Sequence, residues 1–176
     1  MKSEVECLVE ACLRHDEQAC QRLYDVYAPK MLGVCLRYAH DRDAAQDMLH
    51  DGFIKVFDNL GTLKNPAQLG GWMRRVMVNT ALNALRSIRE TTSLDDPEVT
   101  NIPLVVNYDK YDTERILQAI QRLPEQYRAV FNLYEIEGYS HAEIGEKLGL
   151  KENSVRSILS RAKQKLVKDL GERNNY

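Results

Sequence analysis

The sequence predicts an all-α fold: two small helical domains joined by a flexible acidic linker, the C-terminal one a helix-turn-helix. Three observations carry this. Apolar residues recur at steps of three and four through residues 18–89, with no sustained strand-type alternation. The run from Thr91 to Pro103 holds two prolines and clustered turn formers. Gly145 and Gly149 fall between apolar positions spaced for two helices that cross closely.

Taken in order, the stretch from Gln18 to Tyr38 carries Leu23, Val26, Tyr27, Met31, Val34, Cys35 and Tyr38 on one stripe. The next, Arg42 to Leu60, places Ala45, Leu49, Phe53, Val56 and Leu60 on one face, flanked by Met48 and Phe57. A third helix begins near Leu69 and runs to about Arg89, with Met73, Val76, Met77, Thr80, Ala84 and Ile88 on its apolar side. Between the last two lies Gly61 to Gly71, whose glycines and Pro66 predict a loop. The expected division is 1–90 for the first domain, 91–112 for the linker and 113–176 for the second. No internal repeat is evident.

The C-terminal half carries the sharpest local signal. Gly145 is small where the second helix must approach the first. Gly149 stands where the first helix ends and a left-handed residue is favoured. Ile144, Leu148, Leu150, Val155 and Ile158 supply the buried contacts. Lys151, Asn153, Ser154, Arg156, Ser157, Ser160 and Arg161 remain on the polar side or at the start of the second helix. Such a face suits a recognition helix in the major groove, with arginines for guanine edges or phosphates. A plain helical hairpin with a solvated charged face is the competing reading.

Two polar faces distinguish the N-terminal half. Opposite the apolar stripe of the Arg42 to Leu60 helix stand Asp47, His50, Asp51, Ile54 and Asp58. An Asp-x-x-His-Asp cluster suggests a metal, but no second ligand set accompanies it, so no metal is expected. Ile54 among the acids makes a protein-docking face the alternative to a merely solvated one. On the following helix, Trp72, Arg75, Asn79, Asn83 and Arg86 share one side. A ring, two amides and two guanidiniums suit unstacked bases and phosphates. Trp72 as a core anchor with its polar edge outward is the competing reading.

Composition narrows the function classes. No apolar run is long enough to span a bilayer, and the acidic start lacks the order of a signal peptide, so a cytoplasmic protein without direct membrane insertion is expected. Cys7, Cys12, Cys20 and Cys35 form no C-x-x-C pair, which disfavours a zinc module; small buried apolar roles are expected of them, with a redox switch as the alternative. No nucleophile–base pair and no cofactor motif can be assembled, so no enzyme and no cofactor are expected. The net charge of −2 argues against nucleic-acid binding by the chain alone. Its distribution answers part of that. Lys151, Arg156, Arg161, Lys163, Lys165 and Lys168 face only Glu152 over 151–168, a net of +5, while 91–112 carries a net of −4.

With these residues in hand, the chain resembles the extracytoplasmic-function (ECF) group of sigma factors over almost its whole length. Three stretches carry the likeness: Ala44 to Phe57, Trp72 to Asn79 continuing to Asn83 and Arg86, and Leu123-Pro-Glu-Gln-Tyr-Arg128 followed by Glu137 to Gly145 and Asn153 to Ser157. The resemblance implies that Asp47, His50, Asp51 and Ile54 face the clamp of the largest subunit of core RNA polymerase. It implies that Leu63, Lys64, Asn65 and Leu69 belong to a loop holding a flipped minus-ten base, beside Trp72, Arg75, Asn79, Asn83 and Arg86. It implies that Lys151, Asn153, Ser154, Arg156, Ser157, Ser160 and Arg161 bind the minus-thirty-five element of promoter DNA. The flap of the second-largest subunit and an anti-sigma factor are further partners it implies. The chain departs from the family at His50-Asp51, where Gln-Glu is usual, at Leu63 and Leu69, where aromatics are frequent, and at Gly145, where alanine is usual. The last exchange is expected to be sterically safe. A stand-alone regulator and a metal- or cysteine-dependent enzyme are the rival classes.

Overall fold

The computed structural model describes residues 3–89 and 113–172, the side chains of 85–89 and 172 excepted. The expected acidic linker, 91–112, and the Arg86 side chain lie outside the described residues. Among the described residues every regular element is helical, in agreement with the all-α expectation. The chain divides into two compact units, Met1–Ala81 and Leu82–Tyr176.

The first unit opens with α1 (Glu4–Leu13), a helix the sequence reading did not anticipate. Ser3 and Glu6 form a reciprocal capping box at its start, the Ser3 hydroxyl accepting from the Glu6 N–H while the Glu6 carboxylate accepts from the Ser3 N–H. The turn after α1 contains His15 in the left-handed region, at φ 61°, so the break comes without a glycine. Next come α2 (Glu17–Tyr38) and α3 (Arg42–Asn59), capped by Asp16 and Asp41. These two helices pack together, and α1 packs on α2. Ala45, Leu49, Phe53, Val56 and Leu60 are all buried, as their spacing predicts. On α2 the prediction fails at one position: Val26 is 50% exposed, because the stripe of Leu23, Met31, Val34 and Cys35 turns it outward.

Two single turns of tighter helix, Leu60–Thr62 and Pro66–Gln68, carry the chain into α4 (Leu69–Arg89). Helix α4 lies against α3. The Met77 thioether sits over Gly52, whose missing Cβ would fall 2.2 Å from its sulfur, and Lys55 Nζ donates to Thr80 Oγ1 at 3.3 Å. Its core face is broader than the predicted stripe, since Val78, Ala81 and Leu82 are buried along with Met73, Met77 and Thr80.

The second unit contains α5 (Thr113–Gln121), α6 (Glu125–Phe131), α7 (His141–Leu148) and α8 (Glu152–Glu172). Helix α6 widens at its end into a π-type turn over Asn132–Ile136, closed by the Glu137 N–H donating to Asn132 O at 3.0 Å. Helix α8 is the hub: α5, α6 and α7 all pack on it. Its core face is Val155, Ile158, Leu159, Ala162, Leu166 and Leu170, at spacings that keep one stripe inward. Arg128 is 2% exposed and donates from Nη1 to Gln121 O at 2.7 Å, tying α6 to the end of α5.

Candidate nucleic-acid interface

The polar face of α3 is presented to solvent as expected. Asp47, His50 and Asp51 are exposed, and Ile54 is 60% exposed among them. An aliphatic side chain held at that exposure beside three titratable groups is costly for a purely solvated surface and suits a docking face. Among the described residues, no three His, Cys, Asp or Glu side chains converge as metal ligands.

The loop between α3 and α4 and the first turns of α4 enclose an open cleft of about 470 Å³ lined by Thr62, Leu63, Lys64, Asn65, Gln68, Gly71, Trp72 and Arg75. Five residues predicted for one DNA-contacting surface thus share one concavity: Leu63, Lys64, Asn65, Trp72 and Arg75. The loop is stiffened from within. The Asn65 carboxamide oxygen accepts from the Ala67 N–H at 3.1 Å, and the Thr62 hydroxyl donates to Asn59 O at 2.8 Å. Trp72 is half-buried at the rim, so its ring has one face packed and one free for stacking. Asn79 and Asn83 are exposed one and two turns further along α4. They extend the polar stripe but do not line the cleft.

One predicted contact residue does not belong to this surface. Leu69 is 1% exposed: it is the first residue of α4, and its side chain packs into the core. Its role is to anchor the loop. Thr62, Gln68 and Gly71 were missed by sequence reasoning as lining residues. They join the cleft only because two tight turns fold the loop back on α4, which periodicity does not report.

In the second unit, α7, its turn and α8 form the predicted helix-turn-helix. Ser140 and Glu143 make a second reciprocal capping box: the Ser140 N–H donates to Glu143 Oε2 at 2.8 Å, and the Glu143 N–H donates to the Ser140 hydroxyl at 3.3 Å. The bonds from the Ser140 backbone and side chain hold the Glu143 carboxyl below the usual range. Gly149 ends α7 in the left-handed region, at φ 65°. Gly145 is where the chain turns back: its carbonyl accepts from the Leu150 N–H at 2.9 Å, and a Cβ on it would lie 2.7 Å from Leu150 O. The expectation that alanine and glycine exchange safely here is therefore wrong. The contact is with rigid backbone, not with a side chain that can swing away.

On α8 and just before it, Lys151, Asn153, Ser154 and Arg156 are exposed, while Ser157, Ser160 and Arg161 are half-buried nearer the helix packing. Arg156 is pre-positioned by an ion pair to Glu152 at 2.5 Å, and its hydrogen bond and charge pull the Glu152 carboxyl below the usual range. The Ser157 hydroxyl donates to Asn153 O at 3.1 Å, which turns it toward the helix backbone.

Comparison with known proteins agrees with this division of labour. The family described as Sigma-70 region 2 matches residues 23–91, and Sigma-70, region 4 matches 113–166. The RNA polymerase sigma-H factor of Pseudomonas aeruginosa is 31% identical, over 93% of this chain and 92% of its own. The ECF RNA polymerase sigma factor SigM of Mycobacterium tuberculosis is 27% identical, over 98% of this chain and 87% of its own. Among solved structures, the sigma factor RpoE from Bartonella quintana, crystallised with the anti-sigma factor NepR, shares the fold with a TM-score of 0.52 at 17% identity, covering 86% of this chain and 96% of that one.

Proposed function

The chain belongs to the sigma-70 family, in its ECF group, and we propose that it works through three separate faces of its two units. As a sigma factor it binds core RNA polymerase and directs promoter-specific transcription initiation. In the proposed division, residues 1–90 form the polymerase-docking and minus-ten region, 91–112 the linker, and 113–176 the minus-thirty-five region. The matched spans of the two family regions support it.

The observation that carries the reading is a cleft backed by an indole ring in one unit and a helix-turn-helix in the other. Asp47, His50, Asp51 and Ile54 dock on the clamp of the largest subunit, and the C-terminal unit meets the flap of the second-largest. Leu63, Lys64, Asn65, Trp72 and Arg75 receive an unstacked base of the minus-ten element. Flipping a base costs a few kcal/mol, which stacking on Trp72 and a shaped cleft offset. Asn79, Asn83 and Arg86 follow the strand beyond it. Lys151, Asn153, Ser154, Arg156, Ser157, Ser160 and Arg161 hold the minus-thirty-five element, the outermost of them reaching the groove. The chain performs no catalysis in this scheme, acts in the cytoplasm with the polymerase, and is restrained by an anti-sigma factor. No helix among the described residues is long and apolar enough to cross a membrane.

Reconstitution with core polymerase tests the scheme. Co-elution of chain and core should be lost on Ile54→Asp, and permanganate reactivity of minus-ten thymines should be lost on Trp72→Ala while co-elution persists. Unchanged co-elution with Ile54→Asp would remove the α3 face as the docking surface. Unchanged reactivity with Trp72→Ala would remove the cleft.

A further inference from the structure

His141 is the first residue of α7, and the scheme above gives it no part. Its ring stacks on Tyr134 of the π-type turn, with centroids 4.6 Å apart and planes at 21°. It is half-buried, so one edge remains accessible. Charged groups face it from each element packed against it. Helix α8 supplies Arg156, Glu152 and Lys163, all within electrostatic reach of the imidazole. The π-type turn supplies Glu135, paired to Lys163 at 2.5 Å, while Lys163 Nζ lies 5.8 Å from the centre of the Tyr134 ring. On its own helix, Glu143 is committed to Ser140. The histidine therefore shares a pocket with an exposed recognition-helix arginine whose carboxylate partner is also at the surface.

Burial, then the Arg156 charge, holds the imidazole below its ordinary value, so it is neutral in the free chain at neutral pH. A DNA phosphate arriving at Arg156 reverses the second of these effects, because its negative charge favours the imidazolium. We propose that His141 is a phosphate-contacting residue of the minus-thirty-five interface, taking up a proton when promoter DNA binds and so making promoter affinity rise as pH falls. This rests on the promoter-binding reading above. The sign follows from linkage: the bound state holds more protons than the free state, and affinity increases only in the window between the free value and the higher bound value. One proton sets a ceiling of about tenfold per pH unit. An imidazolium at a phosphate also steepens the slope of log affinity against log salt by about 0.9 at the acid end.

The test is promoter binding by holoenzyme, reconstituted from core polymerase and the full chain, followed by fluorescence anisotropy of a promoter duplex from about pH 8 to about pH 6. Wild type should tighten about threefold to tenfold more than His141→Gln across this range. His141→Lys, permanently charged, should bind tightly with the flat profile of the glutamine variant. Equal pH slopes for wild type and His141→Gln, with promoter binding intact, would overturn the histidine contact alone. Failure of wild-type holoenzyme to bind the promoter would overturn it together with the reading on which it rests.

Discussion

Gly145→Ala separates two effects of opposite sign. In an open helix the change stabilises, since alanine is better than glycine by about 1 kcal/mol in a helix interior. At Gly145 the new methyl carbon would stand 2.7 Å from Leu150 O, short of the 3.4 Å at which ordinary contact begins. The obstacle is backbone, held by the bond from the Leu150 N–H to Gly145 O at 2.9 Å, so relief requires the turn itself to move. Forcing a methyl into a packed site costs about 1–3 kcal/mol. The net expectation is a loss of about 0–2 kcal/mol. Displacing the start of α8 should cost more in promoter binding than in stability. Gly33→Ala is the control, because Gly33 lies inside α2 with nothing within 4 Å of its added Cβ. It should stabilise by up to about 1 kcal/mol. Urea unfolding followed by far-ultraviolet circular dichroism reads both units, and Trp72 fluorescence reads the first alone. Equal stabilisation by the two substitutions would refute the close approach at Gly145.

Other expectations concern the supports of the site. Arg128→Ala should destabilise the second unit by about 3 kcal/mol in urea unfolding, through the lost bond to Gln121 O and the cavity left among Phe131 and its neighbours. Ser140→Ala should cost about 1 kcal/mol by removing the α7 cap. Because the folded-state value of Glu143 is depressed, its stabilising effect is present above the ordinary glutamate range and lost as pH falls through the folded value. Glu143→Gln should therefore flatten the acid limb of the stability curve. Thiol alkylation of the native chain, resolved by mass spectrometry, should modify exposed Cys7 first. Cys12 and Cys35 should resist, since burial pushes their thiols up to about 12 and about 11, the Cys20 side chain adding to the shift at Cys12.

The legible parts were those where one local rule decides. The α3 stripe is fixed by steps of three and four, and each of its five residues is buried. The helix-turn-helix announces itself through Gly149 and the apolar spacing, with the Ser140 and Glu143 box agreeing. Features depending on the third dimension were not legible. Leu69 follows a proline-containing loop and precedes two glycines, so it reads as loop, yet it opens α4 and is buried. Val26 fits an apolar stripe but faces solvent, since helical phase alone does not say how wide the neighbouring helix is. Arg128 reads as a surface cation, and only the packing of α5 and α6 on α8 encloses it. Of the cysteines expected to be small buried residues, Cys12 and Cys35 are, whereas Cys7 is exposed on the outer side of α1. That helix was itself readable from the Ser3-x-x-Glu6 cap, a signal passed over because its apolar pattern is short.

The most direct measurement is run-off transcription from a panel of genomic promoters, using purified core RNA polymerase with and without the chain. Promoter-specific transcripts should appear only with the chain and vanish with a variant carrying both Asn79→Ala and Arg161→Ala. With a control sigma factor active on the same core, a folded chain that neither binds the core nor produces any promoter-specific transcript would contradict its role in initiation.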